Sequence, residues 1–422
     1  MPLLYDIGLG LYHTGIRIAA PFVPKAKAWV VGRRGTWQRI EAQRDALRGC
    51  LWMHCASVGE FEQGRPVLEA LKAQHPELPV LITFYSPSGY EARKDFPLAT
   101  HAEYLPADSV RNAERLIALV QPKAVLWVKY EFWYHWLTAL KRNGVPVFLI
   151  SAIFRKEQPF FMWYGATHRV MLHCFDRIFV QDEASRELLG STGVMNVTVS
   201  GDTRFDRVAA IVDANEELPI ARAFRSGSQK PILIAGSTWP EDERLLRAAG
   251  STNNCRMVVV PHEIDVGHLD RVAQEFPGPT IRWSELEYDF AARALDHGPG
   301  PFASTTLLVD RMGYLARLYK YADIAYIGGG FGDGIHSLLE AAAWGKPVIF
   351  GPHHHKFAEA KGLIEAGGGF EVRNATELEE VLRRLLGDPI ALGNASHAAG
   401  KYVRDRVGAT QCITAEILPR IA

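Results

Sequence analysis

The chain predicts two doubly wound α/β domains in series, preceded by an amphipathic helix. Short apolar runs alternate with helical patterns from residue 50 to residue 200, a second such series begins at residue 231, and a polar stretch separates them. Continuous apolar strands spaced by amphipathic helices describe a parallel sheet covered on both faces. At 422 residues the chain is also too long for one ordinary core.

The first 40 residues carry Arg17, Lys25, Lys27, Arg33, Arg34 and Arg39 against a single acid, Asp6. The apolar stretch from Leu3 to Val23 is interrupted by Asp6, His13 and Arg17, which makes it a poor membrane-spanning helix. On a wheel of about 100° per residue those three cluster, and Leu4, Ile7, Leu11, Ile18 and Phe22 fall opposite. Two readings are open: a helix lying on an anionic membrane surface, or a helix packed on its own domain. A cleavable signal peptide is disfavoured, because the basic start and an A-x-A site are missing.

The first series runs LWMHC, PVLITFY, AEYLP, AVLWVKY, PVFLISAIF, RIFVQ and VTVSG, with helices such as SVRNAERLIALV between them. The second runs PILIAGS, RMVVVPH, TTLLVD, DIAYIGGG and PVIFG, followed by helical patterns to the end. Residues 1–40 are therefore read as the amphipathic helix and basic segment, 41–210 as the first Rossmann-like domain, 211–400 as the second, and 401–422 as a terminal helix packing back on the first domain. The break at residues 204–230 is the expected hinge of two domains facing across a cleft.

Composition removes several functions. Lysine plus arginine and aspartate plus glutamate both number 47, so no nucleic-acid footprint is present. Cys50, Cys55, Cys174, Cys255 and Cys412 are odd in number and lack CxxC spacing, which argues against zinc or disulfide frameworks and for a reducing cytosol.

In open parallel sheets ligands sit beyond the carboxyl ends of strands, so the residues just after each strand carry the functional reading. After the strand expected at 323–327 come Gly328, Gly329, Gly330, Gly332 and Gly334, then a helix expected to start near Ile335. Glycines allow close backbone approach to a phosphate, and the helix start favours an anion. Glu340, one turn in, is placed to accept hydrogen bonds from a ribose. No GxGxxG or Walker A pattern is met, which argues against NAD and against a P-loop ATPase. Arg311, Met312 and Gly313 follow another strand, and Ser237, Thr238 and Glu241 follow the first strand of this domain, where an ordinary helix cap is an equal reading. The run His353-His354-His355 fits structural or ligand contacts better than a metal.

In LWMHCASVGEFEQG a strand is followed by a small-residue loop and Glu60 at a helix start. That position favours an ionised carboxylate ready to accept a proton. The alternative is an ordinary stabilising first-turn glutamate, and Glu62 is a weaker rival. Glu131 follows a second strand amid Tyr130, Phe132, Trp133 and Tyr134, an acid either capping a helix or organising a site.

HCASVGE, SGDTRFDRV, GSTWPEDE, DRMGYLARLYKYADIAYIGGG and GIHSLLEAAAWGKPVIFGPHHHKF together resemble the bacterial Kdo (3-deoxy-D-manno-octulosonate) transferases, inverting glycosyltransferases of the GT-B architecture. The resemblance extends from the amphipathic start to near residue 365. It implies transfer of Kdo from CMP-Kdo to a lipid A precursor, with no metal or other cofactor, on the cytoplasmic face of the inner membrane. Glu60 matches the family's base and Glu131 its second acid. Met312, Gly330, His336, Ser337 and Glu340 match donor-binding positions, and Arg204, Ser237, His262, Gly313 and Gly332 are further donor candidates. Ser57, Arg155 and Lys156 are acceptor candidates. The chain departs from the family where PHEID replaces a Pro-Arg-His segment and where Ile335-His336-Ser337 replaces Gly-His-Asn. Competing readings are a GT-B enzyme using a UDP-sugar, a nucleotide-sugar epimerase, and a two-lobed sugar-binding protein.

Overall fold

The computed structural model describes residues 2–250, 255–276, 278–292 and 306–421. The chain divides into two compact units, Met1–Arg207 with Val407–Ala422, and Val208–Arg406. In the first, strands β1 (Leu51–Cys55), β2 (Val80–Phe84), β3 (His101–Tyr104), β4 (Ala124–Val128), β5 (Val147–Ala152), β6 (Arg177–Val180) and β7 (Val197–Val199) form one parallel sheet, ordered β3-β2-β1-β4-β5-β6-β7. Alternate residues serve opposite faces. Leu51 and Met53 of β1 join Leu126 and Val128 of β4 on one side, and Trp52 joins Val125 and Trp127 on the other. Burial on both faces is why these strands read as unbroken apolar runs.

Trp52 is the centre of one face. Its ring meets Trp127 and Trp136 edge-on at 5.9 and 5.5 Å, and its Nε1 donates to Thr83 Oγ1 at 2.8 Å. The other face is covered by helix Val58–Gln74 and by the terminal helix Ala409–Ile421, whose Ile413, Ile417 and Ile421 enter the same core as Leu68. Polar ties hold that terminal helix in place. Arg177 pairs with Glu416 at 2.6 Å, and the Asp206 carboxylate accepts the amides of Gly408 and Thr410 at 2.7 and 3.0 Å.

The second unit contains β8 (Ile232–Thr238), β9 (Arg256–Pro261), β10 (Thr280–Arg282), β11 (Thr306–Leu308), β12 (Ile324–Ile327), β13 (Val348–Phe350) and β14 (Gly369–Glu371), again parallel, in the order β10-β11-β9-β8-β12-β13-β14. The sequence reading misses β10 and β14. Three-residue edge strands carry too little alternation to stand out, and β14 corrects the expectation of helices alone after residue 351. The polar stretch expected as a pause folds into helices Thr203–Ala214 and Pro219–Ser226. All five cysteines are free thiols, three of them buried.

The N-terminal helix, Pro2–Ala19, docks through its polar side. The Tyr5 hydroxyl donates to Asp108 Oδ2 at 2.7 Å, Asp6 pairs with His135 Nε2, and the Tyr85 hydroxyl donates to that of Tyr12 at 3.1 Å. Asp108 is the hub. Buried itself, it also accepts the amides of His135 and Trp136 at 3.1 and 2.9 Å, capping a helix, Tyr134–Arg142, whose own N-cap residue offers no side-chain bond. The apolar side faces outward: Leu4 is 75% exposed, Leu11 69% and Ile18 68%, and Phe22, in the turn after the helix, is 83% exposed. Among the described residues no helix is long and apolar enough to cross a membrane.

Asp108→Ala strands a buried hydroxyl and two amides, and is expected to lower the stability of the first unit by about 2–4 kcal/mol. Tyr5→Phe removes the bond to Asp108 and the long 3.3 Å bond from the Tyr134 amide, and should cost about 1–1.5 kcal/mol. Urea unfolding checks both, with equal midpoints for the two variants counting against the hub role.

Candidate functional site

Each sheet starts in its middle. From β1 the chain builds toward β2 and β3, then crosses to β4 on the other side; from β8 it builds toward β9, then crosses to β12. A crevice opens beyond the carboxyl ends at such a parting of connections. Glu60 and Glu131 follow β1 and β4, the two strands that flank this point in the first sheet.

Ser57, extended at φ −143°, precedes helix Val58–Gln74 and makes no side-chain cap. Glu60, the third helical residue, turns its carboxylate back onto the amide of Ala56. The bond reaches the residue before the N-cap and closes the turn into the helix, so Glu60 has a structural duty. It is only 9% exposed. Burial, and then the negative charge of Glu131, raise its carboxyl to about 7, against the amides of Ala56 and Ser57 and the charge of Lys129. The expectation that a helix start keeps Glu60 firmly ionised is therefore corrected: desolvation outweighs the helix field.

Glu131 is positioned by a kinked backbone and by indoles. Lys129 takes φ +67°, a left-handed conformation costly for a side-chain-bearing residue. The turn brings the Glu131 carbonyl to Trp127 Nε1–H and its Oε2 to Trp133 Nε1–H at 2.6 Å. His54, fully buried on β1, points its unpartnered Nε2 at Glu131 Oε2 from 3.8 Å. Its Nδ1 lies 2.9 Å from Thr83 Oγ1 and 3.2 Å from Thr83 O. A carbonyl can only accept, so a proton on Nδ1 leaves Nε2 as the free position. The sequence reading passed over His54, whose only signal was its place one residue before the strand's end.

Tyr130 gathers the remaining groups. Burial raises its phenol, Arg155 and Arg204 lower it, and Glu60 and Asp202 raise it further. The loop after β5 thus brings Arg155 near Tyr130, with Lys156 exposed beside it. Arg204, expected as a donor contact, belongs to the first unit and is held by Asp202 at 2.8 and 2.7 Å. Ser151, at φ +54°, places its hydroxyl 2.8 Å from Thr203 Oγ1, which donates to the Gln63 carbonyl at 2.6 Å. These bonds tie the end of β5 to the Glu60 helix.

In the second unit β8 ends at Ser237, φ +54°, and Thr238. Trp239, His262 and His336 form a three-ring stack, with centroids 4.6 and 4.5 Å apart and planes within 24°. Trp239 Nε1 donates to His336 Nε2 at 3.3 Å. Burial, and then His262, lower the His336 imidazole, which keeps it neutral and able to accept. Asp242, nearly fully buried, accepts the amides of Trp239 and Gly329 at 3.0 and 2.8 Å and the Tyr326 hydroxyl at 2.7 Å. It fastens the glycine loop to the end of β8. Trp239 and Asp242 were missed as individuals inside a motif noticed as a whole.

The glycines have packing reasons of their own. A Cβ on Gly330 would lie 2.6 Å from the Gly351 backbone, and Gly329 takes φ +90°. The helix expected near Ile335 starts only at Leu339, because Gly334, at φ +134°, breaks the backbone. Glu340 is half-buried in its first turn, while Gly332 and Ser337 are exposed. Met312 is 72% exposed after β11, followed by Gly313 at φ +87°. The histidine run braces the same loop. His353 Nδ1 lies 2.8 Å from Gly332 O and His354 Nε2 2.8 Å from Glu371. Among the described residues no group of three His, Cys, Asp or Glu side chains could hold a metal. A carboxyl near 7 beside a second acid can exchange protons at neutral pH, and a stack of flat rings can seat a base or sugar.

Residues 31–207 match the sequence family described as 3-deoxy-D-manno-octulosonic-acid transferase (kdotransferase). The chain is 30% identical over 346 residues to the 3-deoxy-D-manno-octulosonic acid transferase of Aquifex aeolicus, covering 80% of this chain and 86% of that one. It is 29% identical over 427 residues to the transferase of the same name from Bordetella pertussis, covering 96% and 97%. Among solved structures, UDP-GlcNAc 2-epimerase from Neisseria meningitidis bound to UDP-GlcNAc superposes with a TM-score of 0.59 at 17% identity, covering 87% of this chain and 99% of that one. At that identity the likeness is one of fold, two Rossmann-like domains of the GT-B kind. Sequence kinship over most of the chain is what decides: this protein belongs to the 3-deoxy-D-manno-octulosonic acid transferases, the glycosyltransferases that add Kdo in lipopolysaccharide biosynthesis.

Proposed function

We propose that the chain moves Kdo from CMP-Kdo to a hydroxyl of a lipid A precursor at a membrane surface, with inversion and with Glu60 as the base. The observation that carries the assignment of the base is the buried Glu60 carboxyl, raised to about 7 beside Glu131. As the acceptor oxygen forms its bond to the anomeric carbon, its proton passes to Glu60. The bond from that carbon to the CMP phosphate breaks, and its electron pair leaves with CMP. A base near 7 holds the proton well enough to draw it off at neutral pH and still releases it afterwards. Glu131 tunes this base by its charge and is itself held by Trp133 and faced by His54.

On the donor side, Trp239, His262 and His336 offer a ring face suited to the cytosine, and Glu340 a carboxylate suited to the ribose. Gly330 and Gly332 stand where backbone amides suit the phosphate. Arg155 and Lys156 are suited to the acceptor phosphates. The outward apolar side of the N-terminal helix, with Lys25 and Lys27 following it, fits a bilayer carrying anionic lipid on the cytoplasmic side.

Activity, stability and binding measurements test this reading. Glu60→Gln keeps a side chain that can cap but cannot accept the proton, and should lower acceptor-dependent CMP release by about 10²–10⁴-fold with donor affinity retained. In the wild type, activity should rise with pH through about 7, as Glu60 loses its proton. Because the folded value lies above the unfolded one, the stability from this group is fully present below pH about 4.5 and is lost as pH rises through 7. Glu131→Gln should move the activity limb to lower pH, and a limb that stays in place counts against the coupling.

Trp239→Ala should weaken CMP binding about tenfold by calorimetry, the loss of one stacking face. Leu11→Ser with Phe22→Ser should lower partitioning onto lipid vesicles at least about tenfold, since each buries apolar surface there. Unchanged sedimentation with vesicles would sink the membrane reading.

A further inference from the structure

The polar side of the N-terminal helix borders a partly open cavity of about 290 Å³, which helix Pro24–Gly32, the segment after it and the residues around Ala107 also line. Arg17, Arg33 and Arg34 line it together with His13, Trp29 and Trp37. No carboxylate lines this cavity, and among the described residues none of the three arginines is paired with one. Three cations therefore border a small space that no carboxylate lines; the acid acting on Arg33, Glu103, is already paired with Arg39 at 2.6 Å.

Arg33 is the fixed member. Its guanidinium carbon sits 4.0 Å from the Trp29 ring centre, 5.0 Å from Tyr85 and 4.9 Å from Tyr104, and Nη2 donates to the Tyr85 carbonyl at 2.7 Å. Burial pulls it down to about 10, against Tyr85, Tyr104, Tyr12 and Glu103, which favour the charged form. Its Nε and the indole Nε1 of Trp29 are buried donors with no partner. A cluster of guanidinium groups with no carboxylate among the lining residues suits an anion with several acceptor oxygens. Arg17 and Arg34 are exposed at the rim. Ile18, next to Arg17, is 68% exposed on the outward apolar side of the same helix. A ligand with an anionic head and an apolar tail would satisfy both surfaces, and a free anion only the first.

We propose that this cavity binds the phosphate headgroup of an anionic bilayer lipid, with the acyl chains running along the outward face of the N-terminal helix. The site rests on the reading that this face meets a bilayer, and it adds a specific seat to that contact. Arg33 supplies a preset guanidinium, and Arg17 and Arg34 close on the phosphate oxygens. The headgroup thereby fixes the rotation of the first unit on the membrane, which a purely apolar contact leaves free.

The test is calorimetry on the full chain with dihexanoyl phosphatidylglycerol kept monomeric, against dihexanoyl phosphatidylcholine, inorganic phosphate and a deacylated phosphorylated glucosamine disaccharide. Saturable binding of the phosphatidylglycerol, about tenfold or more tighter than the phosphatidylcholine, is expected. Arg17→Gln with Arg34→Gln should remove about tenfold of that affinity. Arg44→Gln with Arg48→Gln takes two exposed charges from outside the cavity and should change it less than about twofold. The site is overturned if the two lipids bind alike, or if both double variants lose equally, which is a diffuse field. It is also overturned if phosphate or the disaccharide binds as tightly as the lipid, marking a free-anion or acceptor site. Vesicle sedimentation separates the two readings. Monomer binding without vesicle binding keeps the cavity and sinks the membrane contact, and vesicle binding with no preference for phosphatidylglycerol does the reverse.

Discussion

A strand can be followed by a parallel neighbour only through a crossover that climbs back over one face of the sheet. With every strand parallel, both faces must be covered, and all the connections that could carry chemistry emerge at the carboxyl edge. Because each sheet grows outward from its first strand in both directions, two loops part above the centre of each. In the first unit these loops carry Glu60 and Glu131, and in the second they carry Trp239 and the glycine run. The positions of the site residues descend from this one topological constraint.

Glu60 shows how a stabilising role and a chemical one occupy the same atoms. Its carboxylate closes the turn onto the Ala56 amide, which favours the charged form, while burial and Glu131 favour the neutral one. The two tendencies nearly cancel at neutral pH, which is the balance a base requires. The backbone bears a cost for it. Lys129 and Ser237, each at the carboxyl end of a strand bordering a switch point, adopt positive φ where glycine would be easier. Buried Asp242 does the corresponding work in the second unit, holding the glycine loop against the end of β8.

The N-terminal helix inverts the usual arrangement of a surface helix. Its polar residues are spent on Asp108, His135 and Tyr85, and Leu3, Leu4, Ile7, Leu11 and Ile18 are left in solvent. An apolar stripe of this kind on a soluble surface is normally hidden by a partner. The helix is packed on its own domain through its polar side, and its apolar face has no partner within the described residues.

Much of this was legible in the amino-acid order, because strands buried on both faces announce themselves as unbroken apolar runs. LWMHC and AVLWV place Glu60 and Glu131 after strands before any coordinates are known, and the motifs identify the family. Short edge strands such as β14 escape for want of pattern, and the helix at Leu339 starts late because a glycine's φ is not written in its neighbours. The state of Glu60 could not be read at all. Local sequence reports a helix start, whereas desolvation and the charge of Glu131, 71 residues away in the chain, exist only once β1 and β4 lie side by side. The same holds for the stack of Trp239, His262 and His336 and for the pairing of Tyr5 with Asp108. Residue order determined the elements and the loops that carry function. Only tertiary structure decided which distant groups share a dielectric environment, and that environment governs where the protons reside.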